Sequence, residues 1–151
     1  MKNKIGKLNG NLVWAFAFGA LGLGIAGAWL TANMGNKVSI GVYFGVFAAA
    51  GFLSVFLTRA KAGIGVLAFV VAAVASAAIY YFLVSSIMGE ATSTMTAAVG
   101  GGENEAQMVG SAMGTTMGLF AAGIIFLDTL IAGIGGCIFG AKQRKKLTRT
   151  A

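Results

Sequence analysis

The chain has 151 residues, 58% hydrophobic and 10% charged, with a formal net charge of +7, no proline, no histidine and one cysteine. Soluble domains usually hold about a quarter charged residues, so a chain this apolar cannot cover its own surface in water. The same figures exclude disordered, collagen-like and disulfide-scaffold classes, and four acidic residues without a histidine remove most acid–base, triad and zinc chemistry.

A membrane-spanning helix needs about 20 apolar residues. Four stretches of that kind are present, over about residues 12–32, 38–57, 64–88 and 112–141, and they leave no length for a separate soluble domain. The runs are continuous, unlike the alternating segments of about 10 residues in a transmembrane β-barrel. The expected fold is therefore all-α: one integral membrane domain built as a four-helix transmembrane bundle.

Ahead of the first span stand Lys2, Lys4 and Lys7, and near its end Ala26-Gly27-Ala28, which together have the three-part form of a secretory signal. The apolar run is long for a signal, and Trp14 and Trp29 lie about 22 Å apart at helical rise, as anchors at two membrane interfaces would. A retained first helix is expected. Within it Ala20, Gly24 and Ala28 follow the four-residue spacing of small residues that lets helices approach closely in lipid. Asn33-Met34-Gly35-Asn36 reads as a tight turn into the second span, where Gly41, Gly45 and Ala49 repeat that spacing. The third span is alanine-rich from Ala68 to Ala78 and continues through Tyr80 and Tyr81.

Between about residues 89 and 109 Thr, Ser, Gly and Glu replace bulky apolar residues, with Gly100-Gly101-Gly102 at the centre. This stretch is expected to be a mobile external loop with a short helix before the fourth span. Its glycines lack the Gly-Lys-Ser/Thr of a phosphate loop, and Glu103 and Glu105 read as solvated carboxylates; no metal site is expected. Met34, Met88, Met95, Met108, Met113 and Met117 read as flexible apolar filler rather than as copper ligands.

In the fourth span Gly110, Gly114, Gly118 and Ala122 form a second small-residue series. On a wheel of about 100° per residue with Asp128 at zero, Gly114, Gly118, Thr129, Ala132, Gly136 and Gly140 fall within about 20–120°. Leu119, Phe120, Leu127, Leu130 and Ile134 occupy the opposite side. Helix packing is thus assigned to Gly41, Gly45, Gly110, Gly114, Gly118, Gly136 and Gly140. Cys137, at about 180°, is expected to face lipid, and as a lone thiol it supports neither a disulfide nor a metal.

Basic residues lie on one side of this topology. Lys2, Lys4 and Lys7 precede the first span, Arg59 and Lys61 join the second to the third, and Lys142, Arg144, Lys145, Lys146 and Arg149 form a basic tail over 142–151. On the other side only Lys37 is basic. The positive-inside rule then puts both termini in the cytoplasm, as in a bacterial-type inner membrane, with the tail against anionic headgroups. No aromatics interleave the tail to stack on bases, so no nucleic-acid partner is expected.

Asp128 is the single charge within a span, about 21 Å along the helix from Lys142. A charge at that depth costs at least about 2.5–3.5 kcal/mol on insertion scales. It is either a carrier of protons or ions, or a polar tie between helices through hydroxyls such as Ser54, Ser76, Tyr80, Tyr81 or Thr129. The outline of four glycine-rich spans with an acidic residue in the last resembles the rotor proteolipids of V-type ATPases. Those arise from a duplicated hairpin and use glutamate, whereas residues 1–61 and 62–151 show no repeat and the carboxylate is Asp128. Small multidrug exporters are also four short spans but carry a glutamate in the first, which this chain lacks. The expected function is a small non-catalytic membrane subunit or homo-oligomer held by small-residue packing, with other membrane subunits as further partners and no cofactor. The alternative is an ion channel or proton-coupled transporter with its polar site at Asp128, Thr129, Ser76 and Tyr80.

Overall fold

A computed structural model describes the backbone of residues 2–31, 34 and 36–150 and the side chains of residues 10–31, 34 and 37–147. The expected turn residues Asn33 and Gly35 lie outside the described residues, as do the side chains of Asn36, Lys2, Lys4, Lys7 and Arg149. Four helices follow in order: α1 (Lys2–Leu30), α2 (Asn36–Thr58), α3 (Ala62–Ala98) and α4 (Glu103–Thr150), with no strand among the described residues. All four are long and apolar enough to cross a membrane.

Helices α3 and α4 are longer than the composition led one to expect. Their 37 and 48 residues measure about 55 and 72 Å, against a hydrocarbon core of about 30 Å. The stretch read as a loop over 89–109 is helical on both sides of a short turn. Its hydroxyls explain why: Ser93 and Thr94 both donate to the Glu90 carbonyl at 2.9 and 2.8 Å, and Thr96 donates to that of Thr92 at 2.9 Å. Bonding back one turn lets polar side chains stay in a helix without competing for other backbone groups. The helix stops only at Gly100, whose φ of 90° suits glycine alone. There Gly101 N–H donates to Thr96 O and Gly100 N–H to Ala97 O, the paired bonds that close a helix C-terminus. Glu103 and Glu105 then occupy the first turn of α4, at the positive end of its dipole.

The chain divides into two compact units: Met1–Ala73 with Asp128–Ala151, and Val74–Leu127. The second is a helical hairpin in which small residues make the contact. A Cβ added at Gly110 would lie 2.7 Å from the Gly89 carbonyl oxygen, and one at Gly118 would lie 3.0 Å from Ser85 Cβ. One at Gly114 would collide with the Ser85 carbonyl. Phe82, Leu83, Ile87, Met113, Leu119 and Phe120 are instead exposed. Backbones meet inside and bulky side chains stand outside, the reverse of a hairpin built for water.

In the first unit α2 is the central helix. Against α1, the rings of Tyr43 and Phe47 fill the space left by Gly24, 3.1 Å from where its Cβ would be. Against α4, Gly51 meets the backbone at Gly133, while Gly136 and Gly140 meet that at Ala48 and Phe52. Val55 packs over Gly65 of α3, and Phe69 of α3 covers Gly133. Tyr43, Phe47, Val55, Phe69, Ala72 and Val13 form the buried core.

Two expectations are corrected here. Gly41 and Gly45 are exposed, with nothing within 4 Å of an added Cβ, so they pack against nothing among the described residues; Gly51 makes the close approach of α2 instead. Cys137 does not face lipid. It is fully buried, with its sulfur beside Gly65 of α3. The buried arc of α4 in this unit runs from Ala132 through Gly136 to Cys137, about 140° on the wheel. Because α2 and α3 both flank α4, that arc is wider than the stripe a single neighbour needs.

Candidate functional site

Within the apolar spans of the first unit polar side chains are few, and Tyr43, Ser54, Thr58 and Thr129 are buried. Tyr43 is 1% exposed and its hydroxyl lies 3.0 Å from Thr129 Oγ1, a buried bond tying α2 to α4 across 86 residues of sequence. A buried tyrosine hydroxyl needs such a partner. Tyr43 is not among the candidates named from the sequence, although a tyrosine inside an otherwise apolar span is the signal that could have found it.

About two turns further along α4 the pattern recurs. Ser54 donates to the Gly51 carbonyl at 2.8 Å and its Oγ stands 3.9 Å from Cys137 Sγ. Thr58 donates to the Ser54 carbonyl, and its Oγ1 accepts the Ala60 N–H at 3.2 Å. Arg144 completes the series. Its Nη1 donates to the carbonyls of Val55 and Ala60, both at 3.1 Å. The last carbonyls of a helix lack intrahelical donors and carry its negative dipole end, so a guanidinium there both satisfies Val55 and sits in a favourable field. Arg144 had been read only as one charge of the basic tail. A cation spaced to reach back from one helix to the end of another gives no signal in the sequence.

Asp128 lies one residue before Thr129 and is half-buried. Its Oδ2 is buried and has no hydrogen-bond partner among the described residues. Of the tie partners considered for it, Thr129 bonds Tyr43, and Ser54 bonds Gly51 with Cys137 alongside. Ser76 and Tyr80 belong to the second unit. Ser76 there is fully buried with its Oγ likewise unpartnered, while Tyr80 is half-buried. Among the described residues no group of three or more His, Cys, Asp or Glu side chains comes together.

Along the outside of the first unit, α1 and α2 present a second kind of feature. Gly19, Gly22, Gly41 and Gly45 are exposed with nothing within 4 Å of an added Cβ. Ala49, next in the Gly41–Gly45 series, lines an apolar groove of about 530 Å³ with Ala15, Gly19, Leu23, Val46 and Leu53. The chain matches no protein-family model, and neither the curated proteins nor the solved structures include a match to it.

The Tyr43–Thr129 bond is open to a double-mutant cycle. Tyr43→Phe and Thr129→Val should each cost about 0.6–1.7 kcal/mol, the scale of hydrogen bonds between membrane helices. The double variant should cost little more than either single one. Thermal unfolding in mild detergent measures all three; strictly additive losses would mean the two hydroxyls do not interact.

Proposed function

We propose that the chain is an integral membrane protein with both termini on the cytoplasmic side, acting as a non-catalytic assembly subunit or homo-oligomer in a bacterial-type inner membrane. The observation that carries this reading is the outward series Gly41, Gly45 and Ala49, continuous with the apolar groove beside α1. In lipid, where apolar area alone gives no drive to associate, small residues on an outer helix face let a second backbone come close. Among the described residues nothing covers Gly41 or Gly45. Orientation rests on the charges: ten basic residues flank one side of the four spans, and only Lys37 flanks the other.

Orientation is tested by single cysteines at Thr94 and Thr148 in a Cys137→Ala background. A membrane-impermeant maleimide should label position 94 from outside the cell and position 148 only after lysis. Labelling of both from the same side would overturn the topology.

Assembly is tested by native mass analysis in mild detergent. The wild type should run as an oligomer or complex, and Gly45→Leu should weaken association by at least about tenfold, roughly 1.4 kcal/mol. Thermal stability of the protomer should hold, because the added side chain meets open space and leucine is the better helix former. A wild type that is strictly monomeric and partnerless would remove this reading.

A second reading is favoured by the unpartnered buried oxygen of Asp128. Intramembrane carboxylates mark ion and proton pathways, and a channel or proton-coupled transporter would use this one. On that reading, proteoliposomes of the wild type conduct protons or cations, and Asp128→Asn abolishes the flux while leaving thermal stability unchanged. Absence of flux in the wild type would dismiss it.

A further inference from the structure

We propose that the cavity between the end of α2 and the last turns of α4 is a specific site for the phosphate of an anionic glycerophospholipid, with Arg59 and Arg144 as its cationic ligands. This rests on the reading of the chain as membrane-spanning and adds to it a defined binding position. The cavity has a volume of about 500 Å³ and is lined by Phe56, Leu57, Arg59, Arg144 and Leu147. Arg59 and Arg144 both line it, and among the described residues no carboxylate does. Two cations at one pocket make a site for an anion, and a phosphodiester matches their charge and geometry.

Two structural details argue that the pair is placed rather than incidental. Arg59 has a φ of 55° and is the non-glycine residue with a positive φ among those described. The left-handed region is costly for a long side chain and would suit glycine far better. A backbone outlier of that kind on a charged residue is the sort that functional sites retain. Arg144 is held from behind, its Nη1 on the carbonyls of Val55 and Ala60, so its planar group is fixed in orientation. A fixed guanidinium fork matches the oxygens of a phosphate. The rest of the lining selects a lipid over a soluble anion. Leu57 and Leu147 are both more than half exposed, and with Phe56 they give the glycerol and first acyl carbons an apolar wall directly beside the cations.

The test is native mass analysis of the full chain in mild detergent, titrated with phosphatidylglycerol or phosphatidylcholine of matched chains. The wild type should retain one phosphatidylglycerol in strong preference to phosphatidylcholine. Arg59→Gln should raise its Kd about tenfold or more, as loss of one charge-assisted contact would. Lys61→Gln removes an exposed cation from the same connection but outside the cavity, and should change the Kd less than about twofold. Arg59→Gly removes the charge together with the backbone cost, so it should lose the lipid while keeping or raising the thermal midpoint; a loss of lipid therefore cannot be ascribed to unfolding. Equal losses for Arg59→Gln and Lys61→Gln would overturn the proposal in favour of diffuse attraction. Retention of lipid by Arg59→Gln would overturn it outright. Displacement of the lipid by millimolar inorganic phosphate would reassign the cavity to a soluble anion. Alkaline extraction of membranes expressing the wild type reads the spanning reading separately: release of the protein would sink that reading whatever the lipid binds.

Discussion

Helices α2 and α4 approach until backbone meets backbone, and the other features of the first unit follow from that approach. Gly51 on one side and Gly136 and Gly140 on the other leave no room for a Cβ in the contact. Helices this close gain dispersion over a long stretch of main chain, and their carbonyls can take weak Cα–H donors from the neighbour. The contact also sets register, since each glycine stands opposite a particular carbonyl and a shift of one residue replaces glycine with a side chain. In that register Thr129 comes to Tyr43, Cys137 to Ser54, and Arg144 to the end of α2.

Those three polar contacts make different contributions. The Tyr43–Thr129 pair satisfies two hydroxyls that have no water to turn to, and its main effect is to penalise any other register. The Ser54 hydroxyl is already satisfied by its own helix through Gly51, so its approach to Cys137 adds little beyond close packing. Arg144 is the strongest of the three. It joins a full charge to orphaned carbonyls at a helix terminus, where hydrogen bonds and dipole act in the same direction. Together they give an otherwise apolar bundle the directional contacts that apolar packing lacks.

Much of this was legible because long apolar runs allow few solutions. Four runs of about 20 apolar residues dictate four helices, and small residues at four-residue spacing dictate where helices can touch. Gly110, Gly114, Gly118, Gly136 and Gly140 all stand against another helix. What composition hid was which neighbour each face meets. Gly41 and Gly45 carry the same spacing and meet none, because α1 brings its own glycine, Gly24, to the large rings of α2 rather than pairing small with small. Cys137 was misplaced because a wheel assumes one neighbour, whereas α4 lies against two. The stretch over 89–109 was misread as loop because Ser, Thr and Gly are commonest there. Only Gly100 ends the helix, and the hydroxyls around it close onto their own backbone.

Burial and polarity part company at Asp128. Every other polar side chain described in the first unit's interior is matched to a donor or acceptor across the α2–α4 contact or within its own helix. Asp128, at the edge of the same arc, keeps an oxygen that is both buried and unpartnered. Packing alone gives no reason for it. Asn at this position would keep the volume and add a donor, and alanine would extend the small-residue face already formed by Ala132 and Gly136. A carboxyl held there is a standing cost of a few kcal/mol at most if neutral and of more if charged. The register set by the glycines would survive its replacement. The fold does not require that cost, and this is why both proposed readings, association through the outward face of α1 and α2 and conduction through Asp128, start from features that packing within the described residues leaves unexplained.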